Sequence, residues 1–217
     1  ETSDGVIIEN CGNRADVRNT DSKGVGGIVG SAWGDGTIRG CYNTGRISTT
    51  YACPAGGILG SNEGMDVYNC YSAGTIDTNG VQYGRGIGGH DSGSYTVDGC
   101  WYLAGSDDDP ASGGYYNGTS RKISVSVTAV DQKTLQSETT IAALNTNGAV
   151  FTADTAGKNG GYPVLWFETG SRANTCKLTQ KTAANGSFTV SRTGDVRFGT
   201  SVTLTAQPDA GYRLTCF

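Results

Sequence analysis

The side chains of this chain best equipped for chemistry are its seven cysteines, its single histidine, His90, and the acidic run Asp107-Asp108-Asp109. A thiolate is a nucleophile and a soft-metal ligand, an imidazole works as a base near neutral pH, and gathered carboxylates hold hard cations. None of these groups arrives in an activating pattern. No serine or cysteine stands in a motif that would pair it with His90, so Ser-His and Cys-His mechanisms find no support. Asp107, Asp108 and Asp109 are calcium candidates by composition alone, because the alternating Asp and Gly of a calcium loop is missing; a solvated acidic loop is the simpler reading. Glu63, Asp66, Asp91 and Asp98 are carboxylates that a polysaccharide-cleaving face would use, yet nothing in the sequence pairs them.

The cysteines follow a different logic. Cys11, Cys41, Cys70 and Cys100 are spaced by 30, 29 and 30 residues, and their surroundings share one template: Ile8-Glu9-Asn10-Cys11, Ile38-Arg39-Gly40-Cys41, Val67-Tyr68-Asn69-Cys70 and Val97-Asp98-Gly99-Cys100. Val17, Ile47 and Ile76 recur six residues later, where the fourth copy has Ser106, and Ile28, Ile58 and Ile87 recur in glycine-rich runs. A period of this length means stacked structural units that cannot bury their apolar faces alone. Short β-branched segments punctuated by Gly and Asn make the unit a β coil. The expectation is an all-β fold whose main body is a β-solenoid of about four coils. Cys11, Cys41, Cys70, Cys100, Ile28, Ile58 and Ile87 would stack as interior ladders, with the thiols reduced and no metal or cofactor. Ile38 and Cys41 are three apart and can both point inward only across a bend, which Asn10, Gly40, Asn69 and Gly99 would supply.

The aromatics Trp33, Tyr42, Tyr68, Tyr71, Trp101 and Tyr102 recur beside the ladder positions. Filling or flanking the core is their most economical role; as a sugar-stacking strip the candidates are Trp33, Tyr42, Tyr71 and Trp101.

These copies resemble the GLUG repeat of bacterial surface proteins, through Gly27-Ile28-Val29-Gly30, Gly57-Ile58-Leu59-Gly60, Cys41-Tyr42-Asn43-Thr44-Gly45 and Asn69-Cys70-Tyr71-Ser72, over about residues 5 to 105. The third core departs from the pattern as Gly86-Ile87-Gly88-Gly89, and Cys11 is followed by Gly12 where the pattern has Tyr. The resemblance implies an extracellular stalk or attachment module with no catalytic residues to carry over.

Domain limits are expected at 1–105 for the solenoid, 106–168 for a loop and capping segment, and 169–217 for a small β module. The capping segment should hold a short helix from Ser137 to Asn145, with Ser137 as N-cap and Leu135, Ile141 and Leu144 on one face. Asn159-Gly160-Gly161-Tyr162-Pro163-Val164-Leu165-Trp166 resembles segments that close GLUG arrays by covering the open end. Beyond Thr169 the pattern alternates, and Gly199 to Tyr212 resembles the internalin-type B repeat of Gram-positive surface proteins. Cys176 and Cys216 flank this module and are equally readable as a disulfide or as free thiols; Cys53 has no obvious partner.

Bulk composition narrows the function classes. With 17% charged residues, a net charge of -4 and a pI of about 4.9, no basic surface exists for nucleic acid. No apolar run approaches the roughly 20 residues that span a bilayer, and a chain opening at Glu1 without a signal pattern reads as a piece of a larger protein. The expectation is a non-catalytic extracellular or cell-surface bacterial module, adhesive or spacing, whose partners are other domains of the same polypeptide and a host glycan or extracellular protein. The alternative is an ancillary substrate- or glycan-binding region of a larger secreted peptidase or carbohydrate-active enzyme.

Overall fold

The computed structural model describes residues 5–21, 23–79, 84–91, 94–106, 124–146, 150–169, 175–178, 184–197 and 201–213, and the chain divides into two compact units, 1–169 and 170–217. Cys216 and Asp107, Asp108 and Asp109 lie outside the described residues, as does the side chain of Cys176.

Strands of two to four residues cannot hold a core alone, so each one in the coils takes its hydrogen-bond partners from the matching strand one coil along. Registers follow the sequence template: Ile8 pairs with Ile38, Ile38 with Val67 and Val67 with Val97, while Val17, Ile47 and Ile76 align on another side. Val29 aligns with Leu59 and Leu59 with Gly88. All of these pairings are parallel, and they build four sheets along the solenoid. One sheet is bent and carries two strands of each coil, such as Gly36–Arg39 and Tyr42–Asn43. Two apolar clusters fill the interior, one around Ile38, Cys41, Ile58, Met65 and Ile87, the other around Val25, Ile47, Cys53 and Ile76.

The bend has the backbone signature that its residues suggest. Asn10, Gly40, Asn69 and Gly99 have φ of 53°, 60°, 51° and 62°, the left-handed region that only Gly and, less readily, Asn enter cheaply. That reversal turns both Ile38 and Cys41 inward, where neither is exposed. Gly40→Asn should therefore melt close to the parent, while Gly40→Ala should lose about 1–2 kcal/mol, read by thermal unfolding.

The solenoid has three turns, not the expected four. Complete coils begin at Val6, Gly36 and Met65; among the described residues the fourth pass has one strand, Thr96–Leu103, running through the bend to pair with both Met65–Tyr68 and Tyr71–Ser72, and Ser106 O, which accepts from Ile76 N (2.7 Å). Where the first three copies have a β-branched residue the fourth has Ser106, so no apolar side chain continues that ladder. Ser124–Val130 then pairs in parallel with Thr96–Leu103 and covers its edge, closing this end of the bent sheet.

Beyond Ser124–Val130, which covers that end, the rest of the segment packs elsewhere. Two helices, α1 (Gln132–Leu135) and α2 (Glu138–Leu144), lead to a short antiparallel pair, Phe151–Thr152 with Val164–Leu165. The helix expected after Ser137 forms, and Ser137 Oγ accepts from Thr140 N (3.2 Å); α1, ahead of it, has its own cap in Asp131, whose Oδ1 accepts from Thr134 N (2.7 Å). Leu135, Ile141, Leu144, Phe151 and Leu165 pack on Tyr42 and Tyr71, on the flank of the solenoid and not over its open end. Stacked rings explain the choice: Tyr42 and Tyr71 are parallel at 5.4 Å, with Phe151 edge-on to both. These rings, each next to an inward cysteine, face outward by alternation and form an apolar stripe that a second layer buries. Gly12 ends the stripe, because a Cβ there would fall 2.2 Å from the Tyr42 ring.

Polar bonds pin the layer. Tyr71 Oη donates to Pro163 O and accepts from Asn159 Nδ2 (2.9 Å). Tyr42 Oη donates to Glu168 (2.9 Å), which also faces Arg14 at 3.0 Å. Burial and the Glu168 carboxylate push the Tyr42 hydroxyl well above its ordinary range, so it remains a donor.

Among the described residues the second unit holds two antiparallel pairs, Thr175–Leu178 with Gly194–Arg197 and Gly186–Val190 with Leu204–Pro208. Asn185, at φ 63°, makes the turn into the second pair.

Candidate functional site

Along the first arm of the bent sheet, alternate residues leave the core. Ile38 and Val67 point in; Thr37, Arg39, Asp66 and Tyr68 line a groove of about 430 Å³ on the outside. Register places Glu9, Arg39, Tyr68 and Asp98 in one cross-coil row and Thr37 beside Asp66 in the next. Arg39 Nε donates to Glu9 Oε2 (2.8 Å) in an exposed pair of little worth to stability, which leaves the guanidinium face at the groove. Asp66 Oδ1 accepts from Thr96 N (2.7 Å), which fixes that carboxylate in place. Partial burial and the nearby Asp66 and Asp98 carboxylates hold the Tyr68 hydroxyl above its usual range, in its donor form. An aromatic face with donors and acceptors set around it can stack on and hydrogen-bond a hydroxyl-rich ligand.

The residues read from the sequence as a sugar strip are not brought together on the surface. Tyr42 and Tyr71 are fully buried beneath the flanking layer, a correction to that reading whose cause is the Tyr-Tyr-Phe packing. Trp101 is partly buried in the same cluster, and Trp33 is half exposed at a corner. Tyr68 was one of the recurrent aromatics, but Thr37 and Arg39 carry no signal of their own. Only their places on either side of the inward Ile38 mark them as outward.

Of the ladder residues, Cys41, Cys70, Cys100, Ile58 and Ile87 are fully buried and Ile28 is partly buried. Cys11 is exposed, a correction to its reading as an interior residue: among the described residues the strand that follows it, Gly12–Asn13, pairs with Tyr42–Asn43 alone. Cys53 is buried, with its Sγ 3.1 Å from Thr49 Oγ1. Cys11, Cys41, Cys53, Cys70 and Cys100 are free thiols. Among the described residues, no group of three or more His, Cys, Asp or Glu side chains is arranged to hold a metal ion, and no helix is long and apolar enough to cross a membrane. A second concavity of about 400 Å³ lies on the C-terminal unit, lined by Phe188, Pro208, Tyr212 and Arg213 among others.

The coil geometry also explains the glycines of the repeat. A Cβ on Gly27 would fall 2.4 Å from Gly57 O, and one on Gly60 would fall 2.4 Å from Val25 N, so neighbouring backbones occupy the space of a side chain. Residues 21–48 match the GLUG motif. The matched stretch runs from the glycine-rich strands of the first coil through Cys41 to Ile47 in the second, so one GLUG motif straddles two coils. Residues 176–217 match the divergent InlB B-repeat domain. Both the GLUG motif and the B repeat are modules typical of secreted or surface bacterial proteins, and such modules are generally non-catalytic. No curated protein and no solved structure matches the chain.

Proposed function

We propose that this chain is a non-catalytic extracellular module of a bacterial surface protein, and that its solenoid is adhesive, displaying the Tyr68 groove to a host glycan or extracellular protein. The observation behind this reading is the fate of the aromatics. Tyr42 and Tyr71 are taken up by the flanking layer, whereas Tyr68 stands outside, on a row between Arg39 and Asp98, with Asp66 and Thr37 beside it. A stack of hydrogen-bonded coils holds these groups rigidly, so little ordering entropy opposes binding. The two repeat modules in tandem fit a protein built to project from a cell.

The test is a binding screen of the purified chain against a glycan array and a panel of matrix and mucin proteins. Tyr68→Ala and Arg39→Ala should each weaken a saturable hit at least about tenfold, equivalent to about 1.4 kcal/mol, without lowering the melting temperature. Undiminished binding by both variants would move the site elsewhere, and a screen with no hit would leave the solenoid as a spacer.

A further inference from the structure

The four template cysteines stand in file along the bent sheet, all in one orientation. Each Sγ turns back to the carbonyl two residues earlier: Cys11 to Glu9 O (3.3 Å), Cys41 to Arg39 O (3.3 Å), Cys70 to Tyr68 O (3.3 Å) and Cys100 to Asp98 O (3.6 Å). Successive sulfurs are therefore offset by the strand spacing, about 4.8 Å. Three of them are sealed in the core, while Cys11 opens to solvent directly beside Cys41.

This offset does not suit a disulfide, which needs about 2 Å between sulfurs and would draw two coils out of register. It does suit a cation bound between two sulfurs. Two collinear metal–sulfur bonds of about 2.3 Å each span about 4.6 Å, close to the coil spacing. Because the side chains leave the sheet perpendicular to the file, each carbon–sulfur–metal angle falls near a right angle, where sulfur lone pairs lie. We propose that Cys11 and Cys41 form a two-coordinate site for a soft d10 cation of the Cu(I) type, entering at Cys11.

Binding displaces one proton from each thiol to water and changes no oxidation state, so affinity rises with pH. A four-coordinate ion has no further ligands here, since no third His, Cys, Asp or Glu side chain among the described residues completes a group. Thiolate softness and low coordination number together favour Cu(I) over Zn(II).

The test titrates the reduced 217-residue protein with Cu(I) under anaerobic conditions against a chromophoric Cu(I) chelator, and maps maleimide labelling of Cys11 by mass spectrometry. One equivalent should bind and slow Cys11 labelling at least about tenfold, since a metal-held thiolate is no longer a free nucleophile, while Zn(II) leaves the rate unchanged. Cys11→Ser, an exposed and nearly isosteric change, should abolish that equivalent while preserving the circular dichroism. A Cys176→Ser, Cys216→Ser double variant should keep it. Full Cu(I) binding by Cys11→Ser, or unchanged Cys11 labelling at saturating Cu(I), overturns the site.

Discussion

Ile58→Asp should abolish the solenoid at neutral pH, with loss of its β-sheet circular dichroism at 25 °C. Ile58 lies in the middle coil, wholly buried, and its backbone is bonded on both sides: its N–H donates to Ile87 O (2.9 Å), and its carbonyl accepts from Ile28 N (3.1 Å) and Val29 N (3.0 Å). A carboxylate there has coils above and below it and no partner, which costs several kcal/mol on top of the lost apolar burial, against a typical total stability of about 5–15 kcal/mol. The charge component has a pH signature. Burial raises the carboxyl pKa in the folded state above the unfolded value near 3.9, so the penalty is fully present above the folded pKa and fades as pH falls below it. Ile58→Val should cost only about 0.5–1.5 kcal/mol. An Ile58→Asp protein as stable as its parent at pH 7 would mean that this residue is not interior.

Tyr71→Ala should release the flanking layer from the solenoid. Its ring is the middle of the Tyr42, Tyr71 and Phe151 cluster, and its hydroxyl joins Asn159 and Pro163. Removing a fully buried aromatic of this size costs about 3–5 kcal/mol. Amide hydrogen exchange locates the loss: protection should vanish over Glu138–Leu144 while the amides of Ile47 and Val67, paired between coils, keep theirs. Tyr71→Phe keeps the ring and leaves Asn159 Nδ2 still donating to Pro163 O (3.0 Å), so only about 0.5–1.5 kcal/mol is expected. Equal loss of protection in helix and coils would show one cooperative unit and no separable layer.

These two variants bracket what was readable in advance. Ile58 could be chosen from the repeat alone, because a coil meets its neighbours at the same height in every turn and the same residue type must recur there. The alternation of Asn and Gly at positions 10, 40, 69 and 99 was readable for a similar reason: only those two residue types enter the left-handed region cheaply, and all four copies use it. The boundary of the array was partly readable. Ser106 marks the failure of a ladder, but the strand Ser124–Val130 that closes the bent sheet belongs to no repeat.

Tyr71 is a different case. An aromatic beside a ladder cysteine points outward by alternation, and outward aromatics can meet a ligand or another layer of the same chain with identical local sequence. The amphipathic face of α2, with Ile141 and Leu144, announces that it needs a partner without naming one. The groove shows the same limit, since Thr37 and Arg39 come from one coil and Asp66 and Tyr68 from the next. So does Cys11, which shares its template with Cys41 yet is exposed. Periodicity in the chain thus established which residues face in, where the backbone reverses and what type of module this is, because those properties repeat with each coil. Burial of the tyrosines, exposure of Cys11 and assembly of the groove came from the folded molecule alone, because each depends on which distant segment lies next to a residue, and a local pattern does not contain that information.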